Sequence, residues 1–422
     1  MKDLTIKNVV KGLLKLQDND DSGTIIGIGP MSKNCVQAAL EVSKEKDFPI
    51  MFIASRNQVD AEEFGGGYVN GWNQFTFVDA VEEISNKIGY DNYYYMCRDH
   101  GGPWQRDKER NDHLDSEKAM SLGKKSYIAD IEAGFSLLMI DPTKDPFEVG
   151  KVIPLETVIE RTVELIEFCE EERKKRNLPE IGYEVGTEET NGGLTSTETY
   201  EKFILRLKEE LEARNLPLPT FIVGQTGTLT RKTEQVGKFN FNNAKELAKM
   251  AKKYGVGLKE HNGDYLDDVS LLEHIPSNIT ATNVAPQYGT EETRAYLKLA
   301  KLEARLFENG LIQDTSDIYN VLLEQSIKSE RWRKWMVGDQ VKITVEDVRK
   351  DKILSNEIID IAAHYTFNNE DVKKEIEHLY KNLNENGIDG KRFVIDHIKR
   401  PIRDYAECYN LTGITSKIKS IQ

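Results

Sequence analysis

The sequence predicts an α/β fold, a (β/α)8 barrel followed by a C-terminal helical extension. Three features predict it: eight short β-rich runs, helix-period segments between them, and a change to helices alone after Gly310. Strands alternating with longer helices imply a parallel sheet joined by crossover helices. Eight such pairs within about 310 residues match the usual size of this barrel, insertions included. The resulting division is 1–310 for the barrel and 311–422 for a helical extension packed on it.

Taken in order, residues 1–17 space their apolar residues at helical intervals among lysines, which predicts an amphipathic starting helix. They lack the continuous apolar core and small-residue cleavage site of a signal peptide. The β-rich runs are 24–29, 50–54, 93–98, 137–141, 181–185, 220–223, 255–259 and 278–284. Helical spacing marks 33–46, 75–88, 116–133, 155–175, 197–214, 242–254, the short 266–274 and the long, regular 291–307. Two strand-to-helix loops are long and carry glycines, 57–71 and 186–196. Each reads as a lid or substrate clamp, or equally as a solvated connection. Beyond 310, helices are expected at 317–327, 345–351, 358–364, 369–384 and 390–404, as a cap, an interface for self-association or a partner-binding surface. The basic aromatic run from Arg331 to Trp335 reads as packing and salt bridging.

Composition narrows the partner. A chain of 422 residues with 39% hydrophobic content can bury a sizeable core. Its net charge of -14 opposes nucleic acid and anionic membranes, so a small-molecule substrate is expected. Cys35, Cys97, Cys169 and Cys408 form no C-x-x-C pair, which fits a reducing cytoplasm rather than a disulfide framework. No run approaches the ~18 apolar residues of a membrane helix. A phosphate-cradling G-x-x-x-x-G-K-[ST] loop is missing, which argues against a kinase.

In this fold the site is built at the C-terminal ends of the strands. There the sequence places Asn57 and Gln58 after strand two, Arg98, Asp99 and His100 at strand three, and Asp141 at strand four. Glu184 and Glu188 follow at strand five, Gln225 at strand six, Glu260, His261 and Asp264 at strand seven, and Asn283 at strand eight. Of seven histidines only His100 and His261 sit at strand ends. With Glu188 they make a three-ligand site for a divalent metal, Zn, Mn or Co, with an open position, although a metal-free polar cluster remains the alternative. Asp99, Asp141 and Glu260 are the expected acid and base groups, or else partners that orient the imidazoles. Asn57, Gln58, Arg98, Gln225, Asp264, Asn283 and Arg294 are the expected substrate contacts. Glu291 and Glu292 open the predicted eighth helix, so a phosphate at its N-terminus is disfavoured. Arg294, Arg231, Lys232, Arg98 or Arg56 would supply charge instead, or serve as surface ion pairs.

Four motifs in order carry a family resemblance: N-Q-V-D-A-E-E-F-G-G-G-Y at 57–68, R-D-H-G-G-P-W at 98–104, V-G-T-E at 185–188 and E-H-N-G-D-Y at 260–265. Together they resemble the accessory, so-called non-catalytic, subunit family of class II tagatose-bisphosphate aldolase. The resemblance implies a TIM barrel and support of a separate class II aldolase catalytic subunit. Some relatives are described as metal-dependent 4-epimerases of ketohexoses, their phosphates or ketouronates. The chain departs from the family's D-H-L-G-P at Gly101 and from its H-L-D-A-S at Met139 and Thr143, while keeping the carboxylate Asp141. The expected function is metal-dependent 4-epimerisation of a ketose or ketose phosphate by retro-aldol and aldol chemistry, with aldolase support as the alternative.

Overall fold

The computed structural model describes residues 4–148, 152–187 and 192–421. Eight parallel strands form a closed barrel: β1 (Ile25–Ile28), β2 (Ile50–Ser55), β3 (Tyr94–Gly101), β4 (Leu137–Ile140), β5 (Gly182–Val185), β6 (Phe221–Val223), β7 (Gly257–Glu260) and β8 (Ala281–Val284). They pair in chain order, and β8 returns to β1 with Gly27 opposite Asn283. Helices cover their outer face, so most strand positions are buried and the runs are nearly continuous in apolar residues. The crossover helices start where the sequence supplies an oxygen for the free N–H groups of the first turn: Ser32, Asn73, Asp115, Ser196, Asn240 and Asp267 all cap through their side chains.

Two boundary differences bear on the site. β3 runs on through Gly101, because one extra residue is inserted against β4 between Arg98 and Gly101. The last barrel helix spans Pro286–Glu308, five residues earlier than predicted. Proline is pre-organised for a helix's first position, where its missing N–H costs nothing. The first turn therefore has no acidic residue, and the expected repulsion of phosphate there by Glu291 and Glu292 does not arise. Glu292 is instead buried against Ser32, Asn34 and Tyr296.

The starting helix, Ile6–Leu16, lies under the barrel floor, where Tyr95 donates to the Leu4 carbonyl at 2.5 Å. The loop at 57–71 folds back on itself. Tyr68 and Val69 donate to the carbonyls of Asn57 and Gln58, and a Cβ on Gly67 would lie 1.9 Å from the Gln58 oxygen. Only glycine permits so close an approach. The other long loop, 186–196, falls partly outside the described residues.

Beyond the barrel come Ile318–Lys328, Val345–Lys350, Lys352–Ala362, Glu370–Asn384, Gly390–Cys408 and a further helix, Ile414–Ser420. Gly390–Cys408 packs against Lys33–Lys46 and Pro286–Glu308, and Arg392 and Lys399 both pair with Glu41. One contiguous apolar core runs from the strands into these helices. The four cysteines are free thiols. Among the described residues no helix is long and apolar enough to cross a membrane.

Candidate functional site at the barrel mouth

A cavity of about 390 Å³ opens over the C-terminal ends of the strands, a size suited to a small ligand. The barrel lines it with Asn57, Gln58, Asp99, His100, His261, Asp264 and Asn283.

At its base Asp99, His100 and His261 each offer a ligand atom, and these atoms lie within 4.8 Å of one another. The two imidazoles meet edge to face with centroids 4.9 Å apart. The extra residue in β3 explains how Asp99 and His100, adjacent in sequence, both reach this point. A bulge breaks the in-out alternation of a strand and re-aims a side chain, and His100 takes a left-handed φ of 47° to do so.

Each imidazole is paired with a carboxylate. His100 Nδ1 is 2.6 Å from Asp141 Oδ2, and His261 Nε2 is 2.8 Å from Glu184 Oε1. Burial alone would lower the His100 pKa, but Asp99 and Asp141 outweigh it and raise it. Burial likewise opposes ionisation of Asp141, yet His100, Thr143 and Lys144 hold its carboxyl well below the usual range. Glu184 is fully buried and is kept ionised by Lys259 and His261. Such carboxylate–imidazole pairs fix the ring orientation that a metal requires. Three N and O donors of this type, with one side open to a cavity, fit a catalytic divalent cation.

Asn283 Nδ2 donates to Asp99 Oδ1 at 3.0 Å. Asp264 sits in a turn between the left-handed residues Asn262 and Tyr265 and accepts from the backbone N–H groups of Ala285 and Gln287. Burial outweighs those bonds and pushes its pKa up to about 7.

The structure thus brings together Asp99, His100, His261, Asp264, Asn57, Gln58 and Asn283, with Asp141 behind His100. Glu188 lies outside the described residues. Four other expected site residues do not line the cavity. Arg98 is fully buried outside the cavity, paired with Asp130 at 2.5 Å and donating to the carbonyls of Ala54 and Val59. Glu260 points away from the barrel interior and is held by Thr226, His274 and Thr282. Arg294 pairs with Asp360 and Glu291 on the outer helices. Gln225 does not line the cavity, and its backbone N–H donates to Thr195 Oγ1. Sequence reasoning assigned no role to Glu184 and did not single out Lys259. The available signal was an ionisable residue inside an otherwise apolar strand, which a buried position tolerates only when paired.

The model of the family described as D-tagatose-1,6-bisphosphate aldolase subunit GatZ/KbaZ-like matches residues 10–408. No curated protein matches the chain. Among solved structures, the chain is similar to a probable tagatose 6 phosphate kinase from Sinorhizobium meliloti 1021, with TM-score 0.72 and 18% identity over 91% of this chain and 100% of that one. It is similar to the fructose-bisphosphate aldolase of Campylobacter jejuni, with TM-score 0.51 and 11% identity over 96% of each. It also resembles the fructuronate-tagaturonate epimerase UxaE of Cohnella laeviribosi, with TM-score 0.50 and 12% identity over 92% of this chain and 81% of that one. At these identities the likeness is one of fold.

Proposed function

Because this chain belongs to the family described as D-tagatose-1,6-bisphosphate aldolase subunit GatZ/KbaZ-like, we propose that it acts in carbohydrate metabolism as a metal-dependent 4-epimerase of a ketohexose or ketose phosphate. The observation that carries this reading is the convergence of Asp99, His100 and His261 at the base of a cavity that Asp264 also lines.

In a 2-ketose the C4 proton is not adjacent to the carbonyl, so enolisation cannot remove it. Cleavage of the C3–C4 bond can reset that centre. The C4 hydroxyl gives up its proton, the C3–C4 electron pair passes to an enediolate over C2 and C3, and C4 becomes an aldehyde. Rotation of the aldehyde fragment and bond re-formation on its other face invert C4, and the proton returns to the new hydroxyl. A divalent ion held by Asp99, His100 and His261 would supply Lewis-acid stabilisation of negative charge at the carbonyl oxygen. In this reading Asp264 carries the hydroxyl proton, since a group poised near neutral pH both accepts and returns it. Asp141 and Glu184 keep the imidazoles in register. Asn57, Gln58 and Asn283 offer amides to the sugar hydroxyls.

The test is NMR of fructose, fructose 6-phosphate and tagaturonate incubated with the protein and Mn²⁺, Zn²⁺ or Co²⁺. Inversion at C4 is expected with the native chain and not with His100→Ala or His261→Ala. Inversion that survives both substitutions refutes the site.

The word "subunit" in the family description favours a second reading, support of a class II aldolase catalytic subunit. A ketose panel left unchanged, together with a rise in that aldolase's activity or stability on mixing, selects it.

A further inference from the structure

The two ends of the cavity differ in chemistry. Its base mixes donors and acceptors, as sugar hydroxyls require, with the carboxylates Asp99 and Asp264 among them. Away from it Arg110, Arg331 and Lys334 gather around a single carboxylate, Asp107, while Lys144 lines the cavity nearer His100 and Asp141. Four cations around one pocket in a chain of net charge -14 are not a sample of the general surface.

Arg331 is fixed in place. Its guanidinium lies over the touching rings of Tyr68 and Tyr365, 4.9 and 5.1 Å from their centroids, and 3.3 Å from Asp107. Arg110 is held by the same carboxylate and by the Trp104 carbonyl. Lys334 lies 4.8 Å from the Tyr365 ring centroid, with Asp107, Arg331 and Arg110 near it.

An independent sign of a ligand lies beside them. His364 lines the cavity and is only 2% exposed, yet neither ring nitrogen has a hydrogen-bond partner. Burial, with Lys334 and Arg331 nearby, pushes its pKa down to about 3, so it is neutral at physiological pH. A buried polar group without a partner is costly, and a bound ligand would repay it.

We propose that this wall is a subsite for the terminal phosphate of the sugar, held by Arg331, Lys334 and His364 from the C-terminal extension with Arg110 from the barrel loop. The inference rests on the reading of the cavity as a ketose site. A phosphate monoester is dianionic and carries several acceptor oxygens, which suits a wall of donors with a surplus of positive charge. The helices after residue 310 thereby complete the binding site of the barrel.

Calorimetric binding of fructose 6-phosphate, fructose and inorganic phosphate, without metal or turnover, tests the subsite. The native chain is expected to bind fructose 6-phosphate at least about tenfold tighter than fructose, as charge-assisted bonds imply, with inorganic phosphate competing. Lys334→Met should collapse that discrimination and Lys334→Arg should keep it, with thermal melts confirming that both variants fold. Equal binding of the two sugars, no binding of fructose 6-phosphate, or full discrimination in folded Lys334→Met overturns the proposal. Discrimination without C4 inversion removes the epimerase reading and leaves the subsite standing. Inversion of both sugars at equal affinity removes the subsite alone.

Discussion

His100 Nδ1 and Asp141 Oδ2 lie 2.6 Å apart, joining β3 to β4 at the one place where the register of those strands slips. The bond turns His100 so that Nε2 is 3.9 Å from Asp99 Oδ1. Asp141→Asn keeps the shape but removes the charge that favours this orientation. Its affinity for Co²⁺, followed by absorbance titration, should fall about 10–100-fold, the usual cost of losing such a partner. Unchanged affinity would show that the imidazole is positioned by something else.

Arg98 and Asp130 form a fully buried ion pair behind β3. Removing one member leaves an uncompensated charge in an apolar setting. Arg98→Met should therefore cost about 3–5 kcal/mol in urea unfolding. A loss of sugar binding with native stability would instead return Arg98 to the cavity.

Glu260 accepts from Thr226, His274 and Thr282 behind the barrel wall. Glu260→Gln should destabilise the fold by about 1–3 kcal/mol, since the amide mismatches part of this buried network. Metal and sugar binding by the folded fraction should stay near native. The reverse pattern, binding lost and stability intact, contradicts the geometry described above.

Asp264 titrates at about 7 in the folded chain because it is buried, and at about 4 when unfolded. The folded form therefore holds an extra proton between those values. The stabilisation is complete below about pH 4 and is lost as pH rises through about 7. Melting temperature should decline from pH 5 to pH 8 more steeply in the native chain than in Asp264→Asn. Parallel profiles would mean that the carboxyl is ionised throughout.

The barrel was legible because its signals are local. The predicted helix 33–46 coincides with Lys33–Lys46, and 155–175 with Leu155–Lys175, since caps and apolar spacing act within a few residues. Asp99, His100, His261, Asp264 and Asn283 were legible for a related reason: a closed parallel barrel gathers its strand ends wherever they fall in the chain.

Direction was not legible. Lys259, Glu260 and His261 are consecutive, yet the first and third meet Glu184 inside the barrel while the second faces the helices. Alternation would predict that pattern only if the inward residue were known, and in β3 a single extra residue upsets it, leaving Arg98 buried behind the strand and His100 at the cavity. The wall formed by Arg331, Lys334 and His364 had no local signature either. A basic aromatic run can pack, pair or bind, and which of these it does depends on what the folded chain sets opposite it. Local patterning was enough for the fold and for the roster of polar strand ends. Tertiary packing decided which of those groups share a cavity and joined the extension to it, because burial and charge pairing depend on neighbours hundreds of residues away rather than on those adjacent in the chain.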